Sequence, residues 1–248
     1  MMRVFIPTKG RAHVATIPSL LERAGVLHTL VVEPQDVIDY RTAFPNADFL
    51  LLEDDDRGIV FSRQSILDHA RGIGLDWYWQ IDDNIKAFYE VQNRRCVEVG
   101  VREALLAAER IANKHERVAL VALQYQQFAW PAKKEYVFNR QAYCCVLTST
   151  LTGKDYRPGT ETKEDVDFLL QHLDSRWRSI LVNRWAMGKP VMGANAVGGL
   201  APLYKAGKNS DAARAIAKLW PQYCTIVRKK RGLDAKIDWR AVDKRFGK

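Results

Sequence analysis

Short apolar runs alternate with longer amphipathic stretches through the first half of the chain. "RVFIP" (Arg3–Pro7), "TLVVE" (Thr29–Glu33), "DFLLLED" (Asp48–Asp54), "DWYWQI" (Asp76–Ile81) and "VALVAL" (Val118–Leu123) have the length and β-branched or aromatic content of buried strands. Between them, "IPSLLERAG" opens near Pro18 and ends at Gly25, a helix with its usual start and stop residues. Asp36–Phe44, Ile59–Gly74 and Val99–His115 carry the same helical spacing. Strands alternating with helices of this length predict an α/β fold, a doubly wound and mainly parallel sheet flanked by helices, over residues 1–125.

The second half is less regular. "AYCCVLTSTL" (Ala142–Leu151) predicts a buried strand, "KDYRPGTETKED" a loop through Pro158 and Gly159, "DVDFLLQHLDSRW" a helix and "SILVN" a strand. A Gly-rich stretch, Gly188–Gly207, predicts a mobile loop over an active site, with Lys189, Tyr204 and Lys205 within it. No repeat and no Pro- or Ser-rich linker interrupts the chain, so residues 1–227 are expected to form one domain. Its halves divide at residues 125 and 126, and 228–248 form a basic tail.

In an open parallel sheet, ligands bind beyond the carboxyl ends of the strands. Those ends carry Thr8, Lys9, Gly10 and Arg11 after the first strand and Glu33 after the second. Asp54, Asp55, Asp56, Arg57 and Gly58 follow the third, and Asp82, Asp83 and Asn84 follow the fourth. Four polar loops on one edge point to a site. No GxGxxG, GxxxxGK[ST] or serine nucleophile elbow is present, and neither the histidines nor the cysteines have metal-ligand spacing. Carboxylate and amide oxygens remain, and these suit Mg²⁺ or Mn²⁺ held together with a substrate diphosphate. Carboxylates closing a strand as aromatic as Trp77-Tyr78-Trp79-Gln80-Ile81 are seldom placed there without partners. Trp77 and Trp79 themselves are expected in the core. Glu164 and Asp165, at a helix start, are also charges that the helix dipole favours there without any catalytic duty.

Composition adds bounds. The chain has 248 residues, 47% of them apolar, enough for a packed core. No run reaches the roughly 18–20 apolar residues of a membrane span, and the N-terminus has no signal-peptide pattern. Cys96, Cys144, Cys145 and Cys224 show no disulfide framework, so a reducing, cytoplasmic location is expected. A net charge of +9 favours polyanionic partners. The final stretch interleaves Arg228, Lys229, Lys230, Arg231, Lys236, Arg240, Lys244, Arg245 and Lys248 with Trp239 and Phe246. That pattern suits phosphate contacts and base stacking, and equally a solvated amphipathic tail.

Taken in order, "FIPTKGR", "DRGIVFSRQSIL", "QIDDNI", "ETKEDVDFLLQHL", a GG-containing loop and "WP" at Trp220–Pro221 resemble the TET-associated and phage DNA-base glycosyltransferases, which have the GT-A fold. The resemblance covers about residues 3–223. It implies that Asp82, Asp83 and Asn84 form a DxD-like motif holding Mn²⁺ or Mg²⁺ on a nucleotide-sugar diphosphate, UDP being the commonest nucleotide. It implies donor contacts from Thr8, Lys9, Gly10, Arg11, Glu33, Asp55, Arg57, Gly58, Arg63, Gln64 and Asp82. Asp165, partnered by Glu164, would be the general base of an inverting transfer, and the acceptor would be hydroxymethylated pyrimidine bases in DNA. Two positions depart from the pattern: Asn84 stands where many GT-A enzymes have Asp, and Gln64 where the helix start has Asn. Two other readings stay open. Asp55, Asp82, Asp83 and Glu164 would be a two-metal cluster in a nuclease or nucleotidyltransferase, and a non-catalytic nucleic-acid-binding module would use the charge alone.

Overall fold

The computed structural model describes residues 2–190, 198–199, 203, 206–229 and 232–247. A ten-stranded sheet runs through the molecule in the order β3-β2-β1-β4-β9-β7-β10-β5-β6, with β8 paired to β10. Its strands are β1 (Arg3–Pro7), β2 (His28–Val32), β3 (Asp48–Leu51), β4 (Trp77–Ile81), β5 (Ala87–Gln92), β6 (Arg95–Val99), β7 (Val118–Tyr125), β8 (Tyr136–Phe138), β9 (Cys145–Ser149) and β10 (Arg178–Gly188). The pairings make β5, β8 and β9 run against the other seven strands, so the sheet is mostly parallel in direction.

The helices are α1 (Ile17–Arg23), α2 (Val37–Ala43), α3 (Gly58–Gly72), α4 (Val101–Ala112), α5 (Gln126–Ala129), α6 (Glu164–Asp174), α7 (Lys208–Leu219) and α8 (Trp239–Phe246). Alternation along each strand builds a core on each sheet face. Val4, Ile6, Trp79 and Ile81 pack with Leu21 of α1, Tyr40 of α2 and Leu105 of α4. Phe5, Val31 and Tyr78 pack with Ile66 of α3, Leu169 of α6 and Ile216 of α7. Trp79 is fully buried, and its indole N–H donates to Glu109 of α4 at 2.9 Å, a core role. Among the described residues no helix is long and apolar enough to cross a membrane.

Two features depart from the expected layout. β9 lies between β4 and β7, antiparallel to both, and separates the two parallel groups. The hairpin β5–β6 follows Asn84 closely, and its turn places Asn93 and Arg94 at φ 48° and 61°. Left-handed residues at both central positions match the twist of a two-residue hairpin, where Asn is favoured. The boundary expected at 227/228 falls inside β11 (Cys224–Lys229), which pairs with β12 (Gly232–Ile237). α8 then returns to the body: Val242 is fully buried and Arg140 grips Asp243 through two bonds of 2.7 and 2.9 Å. Arg140 also lies 5.4 Å from the Trp239 ring, and Phe246 rests on Tyr223. These two aromatics pack the segment down instead of standing free for bases. Lys230 and Arg231 lie outside the described residues.

Candidate active site

The strand ends of β1, β2 and β4 meet at Asp83, a buried carboxylate only 3% exposed. Its side chain accepts from Thr8 Oγ1 at 2.7 Å and from Arg11 Nη1 at 2.9 Å. Thr8 in turn shares a 2.5 Å bond with the Tyr40 hydroxyl, which accepts from the Arg11 backbone N–H. The Asp83 carbonyl receives the N–H groups of Thr16 and Ile17, so the residue also anchors the start of α1. Burial pushes its carboxyl above the ordinary value, with Arg11 and Thr8 pulling back. Both of its oxygens already have donors, and the residue ties the loop after β1 to the start of α1.

Next to it, the loops after β1, β2 and β3 close on Glu33. Its Oε2 takes Lys9 Nζ at 2.7 Å, Gln35 Nε2 at 2.6 Å and the Asp56 N–H at 3.1 Å. Lys9 also pairs with Asp56. Burial lowers the Lys9 pKa and the two carboxylates more than restore it, leaving it above its ordinary value. Asp55 accepts from the Gln35 N–H, and the Gly10 N–H donates to Asp36. Arg57 is exposed, bound to Asp54 at 2.7 Å and stacked 4.7 Å from Phe61. Gly58, at φ 84°, turns the chain into α3. Gln64 is turned toward the 155–156 loop, where it takes the Tyr156 N–H and donates to Asp68 and Asp155.

The third group centres on Asp82, which points the other way from Asp83. Lys189 at the end of β10 donates to its Oδ2 at 2.5 Å, and Arg63 of α3 lies 3.7 Å from Oδ1. Burial raises the Asp82 pKa, but these two cations outweigh it and hold the carboxyl below its usual range. Lys189 also touches Cys144 Sγ at 3.0 Å, and that sulfur meets the Tyr125 hydroxyl at 3.0 Å. Burial pushes the Cys144 thiol up to about 11. Arg63 then bridges to Glu164 at the start of α6, 2.9 Å away. Glu164 is 4% exposed, and burial pushes it up to about 7 against the pull of Arg63. Two atoms here have no partner among the described residues, Arg63 Nε and Glu164 Oε2. Asp165 is half-buried, held by Gln141 Nε2 at 3.1 Å and by the Val166 N–H at 2.8 Å.

The chain therefore brings together Arg63, Asp82, Glu164 and Lys189, with Asp165 beside them on α6, while Asp55, Asp83 and Gln64 are engaged elsewhere. Asp167, which carried no functional reading in the sequence, is fully buried and clamps α6 to Arg157 and Trp220, while Gln171 of the same helix also donates to it. Cys144, Tyr125 and Gln141 carried no sequence signal, because their position depends on β9 entering the sheet beside β4. Of the Gly-rich stretch, Tyr204 and Lys205 lie outside the described residues. Gly198 and Gly199 rest on the Lys9–Arg11 loop, with Gly199 N–H donating to Lys9 O at 3.1 Å. A Cβ on Gly198 would stand 2.4 Å from that same oxygen, so only glycine fits.

The donor set does not form a cage for a divalent ion. Among the described residues no three His, Cys, Asp or Glu side chains gather as ligands. Both Asp83 oxygens are taken, and the Lys189 ammonium occupies Asp82 Oδ2. Asn84 Oδ1 is buried and has no partner among the described residues. The same engagements leave no shared two-metal cluster of Asp55, Asp82, Asp83 and Glu164.

The sequence profile of the TET-Associated Glycosyltransferase family matches residues 2–199. Among solved structures, A197 from STIV is 14% identical with a TM-score of 0.44, covering 75% of this chain and 84% of that one. Mannose-1-phosphate geranyltransferase from Thermus thermophilus is 14% identical with a TM-score of 0.37, covering 89% and 64%. A Desulfovibrio desulfuricans protein, named provisionally as a nucleotide-diphospho-sugar transferase, is 12% identical with a TM-score of 0.39, covering 90% and 98%. Likenesses this distant carry no functional argument. No curated protein matches the chain.

Proposed function

Because this chain belongs to the TET-associated glycosyltransferase family, we propose that its polar edge moves a sugar from a nucleotide-sugar donor to a hydroxymethylated pyrimidine in DNA. The observation that carries the reading is the convergence of Arg63, Asp82, Lys189 and the α6 carboxylates at one strand end. A diphosphate entering there meets Arg63 and Lys189, whose charges stabilise the leaving group in a site where burial strengthens each interaction. Arg63 Nε, a buried donor with no partner of its own, is suited to a phosphate oxygen. Lys9, Arg11 and Glu33 shape the neighbouring loops that would hold the nucleoside, UDP being the first to try.

Asp165 is the base in this reading. It takes the proton of the acceptor hydroxyl as that oxygen bonds to the sugar's anomeric carbon, while the bond from that carbon to the diphosphate breaks and the nucleoside diphosphate leaves. A single displacement of this kind inverts the anomeric centre. Glu164 holds Arg63 in position and does not touch the acceptor. No step runs through Mn²⁺ or Mg²⁺, since the cations at Asp82 are those of the chain itself. A base paired inside a duplex cannot reach Asp165, so it must be flipped out or presented on an open strand.

A panel of sugar nucleotides, incubated with hydroxymethylated and unmodified DNA with and without Mn²⁺, tests the reading. Sugar transfer to the modified DNA supports it. Transfer to a small molecule or protein instead, with none to DNA, keeps the glycosyltransferase and removes the DNA acceptor.

A further inference from the structure

An open groove lies away from the carboxylates, between the turn of the β5–β6 hairpin and α5. It is a shallow depression, open to solvent, and is lined by Arg94, Arg95, Cys96, Gln126, Gln127 and Trp130. Arg94 and Arg95 are exposed, and no carboxylate pairs with either among the described residues. Trp130 is 46% exposed and Phe128 56%, and Lys133 and Lys134 follow on the surface. Leaving a large ring half in water costs hydrophobic free energy, which a stacking partner would recover.

Its placement adds a second argument. α5 begins directly after Tyr125, whose hydroxyl meets Cys144 Sγ beside Lys189 and Asp82. The Tyr125 ring lies 5.3 Å from Tyr143 and 6.4 Å from Phe128 of α5, the helix that forms one wall of the groove. Guanidinium groups, an open indole face and side-chain amides are the components with which proteins hold unpaired nucleic acid: phosphates on the cations, bases on the ring, base edges on the amides. An acidic protein segment would use the arginines but leave the indole and the amides idle.

We infer that this groove docks an unpaired nucleic-acid strand, with Arg94 and Arg95 on phosphates and Trp130 stacked on a base. It rests on the proposed DNA acceptor only in that the strand would run on to Asp165; strand binding itself stands apart from sugar transfer. The test is fluorescence anisotropy of a labelled single-stranded oligonucleotide across a salt series, with the full chain, Arg94→Ala/Arg95→Ala and Trp130→Ala. All three residues are exposed, so the variants should fold, which circular dichroism checks. Each single-strand phosphate contact contributes about 0.7 to the log–log salt slope, so the double variant should lose about 1.4 of it. Trp130→Ala should weaken binding on the order of tenfold with the slope unchanged. Donor hydrolysis without acceptor should match wild type in both. Variants that bind the oligonucleotide as wild type does overturn the groove and leave the DNA acceptor standing. A wild type that binds no nucleic acid even at low salt overturns both. Equal competition by polyglutamate and oligonucleotide would show a plain anion surface and overturn the strand assignment.

Discussion

Glu164→Gln is expected to make the protein more stable and less active. Burial pushes the Glu164 carboxyl from its ordinary 4.5 to about 7, even with Arg63 2.9 Å away. Each pKa unit corresponds to about 1.36 kcal/mol, so keeping this group ionised in the folded state costs about 3 kcal/mol relative to the unfolded chain. The folded protein binds the proton more tightly than the unfolded one does, so stability falls as pH rises. The cost is absent below 4.5, grows between 4.5 and 7 and is complete above about 7. Glutamine never ionises and escapes it. Against this, removing one partner of a buried ion pair commonly costs about 3–5 kcal/mol. Burial works against the Arg63 charge, yet the carboxylates around it hold its pKa above the ordinary value. Glutamine keeps an oxygen that can accept from the guanidinium, so the variant escapes the ionisation cost without leaving Arg63 bare. Function moves in the opposite direction, because Arg63 loses the carboxylate that holds it near Asp82. Urea unfolding at about pH 5 and pH 8 reads the stability, and donor hydrolysis at the same two values reads the activity. Wild type should lose on the order of 3 kcal/mol from this group between those values and the variant none. A variant less stable than wild type by about 3 kcal/mol at both pH values refutes the reasoning, since the pair would then be a net stabiliser.

Three further outcomes follow from the same contacts. Asp165→Asn should keep donor binding and lose transfer by about 10²-fold or more, the scale of a general base, as single-turnover kinetics would show; near wild-type transfer moves the base elsewhere. Lys189→Met removes the cation on Asp82 and should weaken nucleoside-diphosphate binding in calorimetry without metal, while Mn²⁺, now with access to Asp82, restores part of it; unchanged affinity would separate Lys189 from the donor. Asp83→Ala should lower stability by about 3 kcal/mol, because alanine, unlike the amide in Glu164→Gln, leaves Arg11 and Thr8 with no buried acceptor; a urea midpoint equal to wild type, with metal-dependent binding lost, would return Asp83 to a ligand role.

The legible parts of the fold were those written as local periodicity. β1 to β4 and α1 to α4 lie where apolar runs and helical spacing placed them, with ends shifted by a few residues. The β5–β6 hairpin was missed although its signal is present: "AFYEVQ" and "RCVEV" alternate around Asn93-Arg94, a turn pair without the glycine that usually marks it. β9 illustrates the other limit. Its residues read as a buried strand, but nothing local says that it enters the sheet between β4 and β7 in the reverse direction. Because Cys144 and Gln141 reach the site by that route, they had no local signature. The basic tail misled for a related reason, since amphipathic spacing looks the same whether the apolar side meets solvent, a ligand or, as for Val242, the body of the protein.

The adjacent carboxylates after β4 show why spacing decides function at a strand end. Successive residues of extended chain point to opposite sides of the sheet. The ladder still holds at Asp82, whose N–H donates to Cys144 O at 2.7 Å, so Asp82 and Asp83 must diverge. Asp83 turns toward Thr8, Arg11 and α1 and fixes the first loop; Asp82 turns toward Arg63 and Lys189. A motif with carboxylates two residues apart would set both on one side, where they can share an ion. Here the residue two beyond Asp82 is Asn84, a neutral amide whose oxygen is buried with no partner among the described residues. Asp82 is met by Lys189 and by Arg63, and Arg63 is shared with Glu164. The two aspartates that read as one site in the sequence thus enter two separate groups of contacts, Asp83 with Thr8 and Arg11 and Asp82 with Arg63 and Lys189.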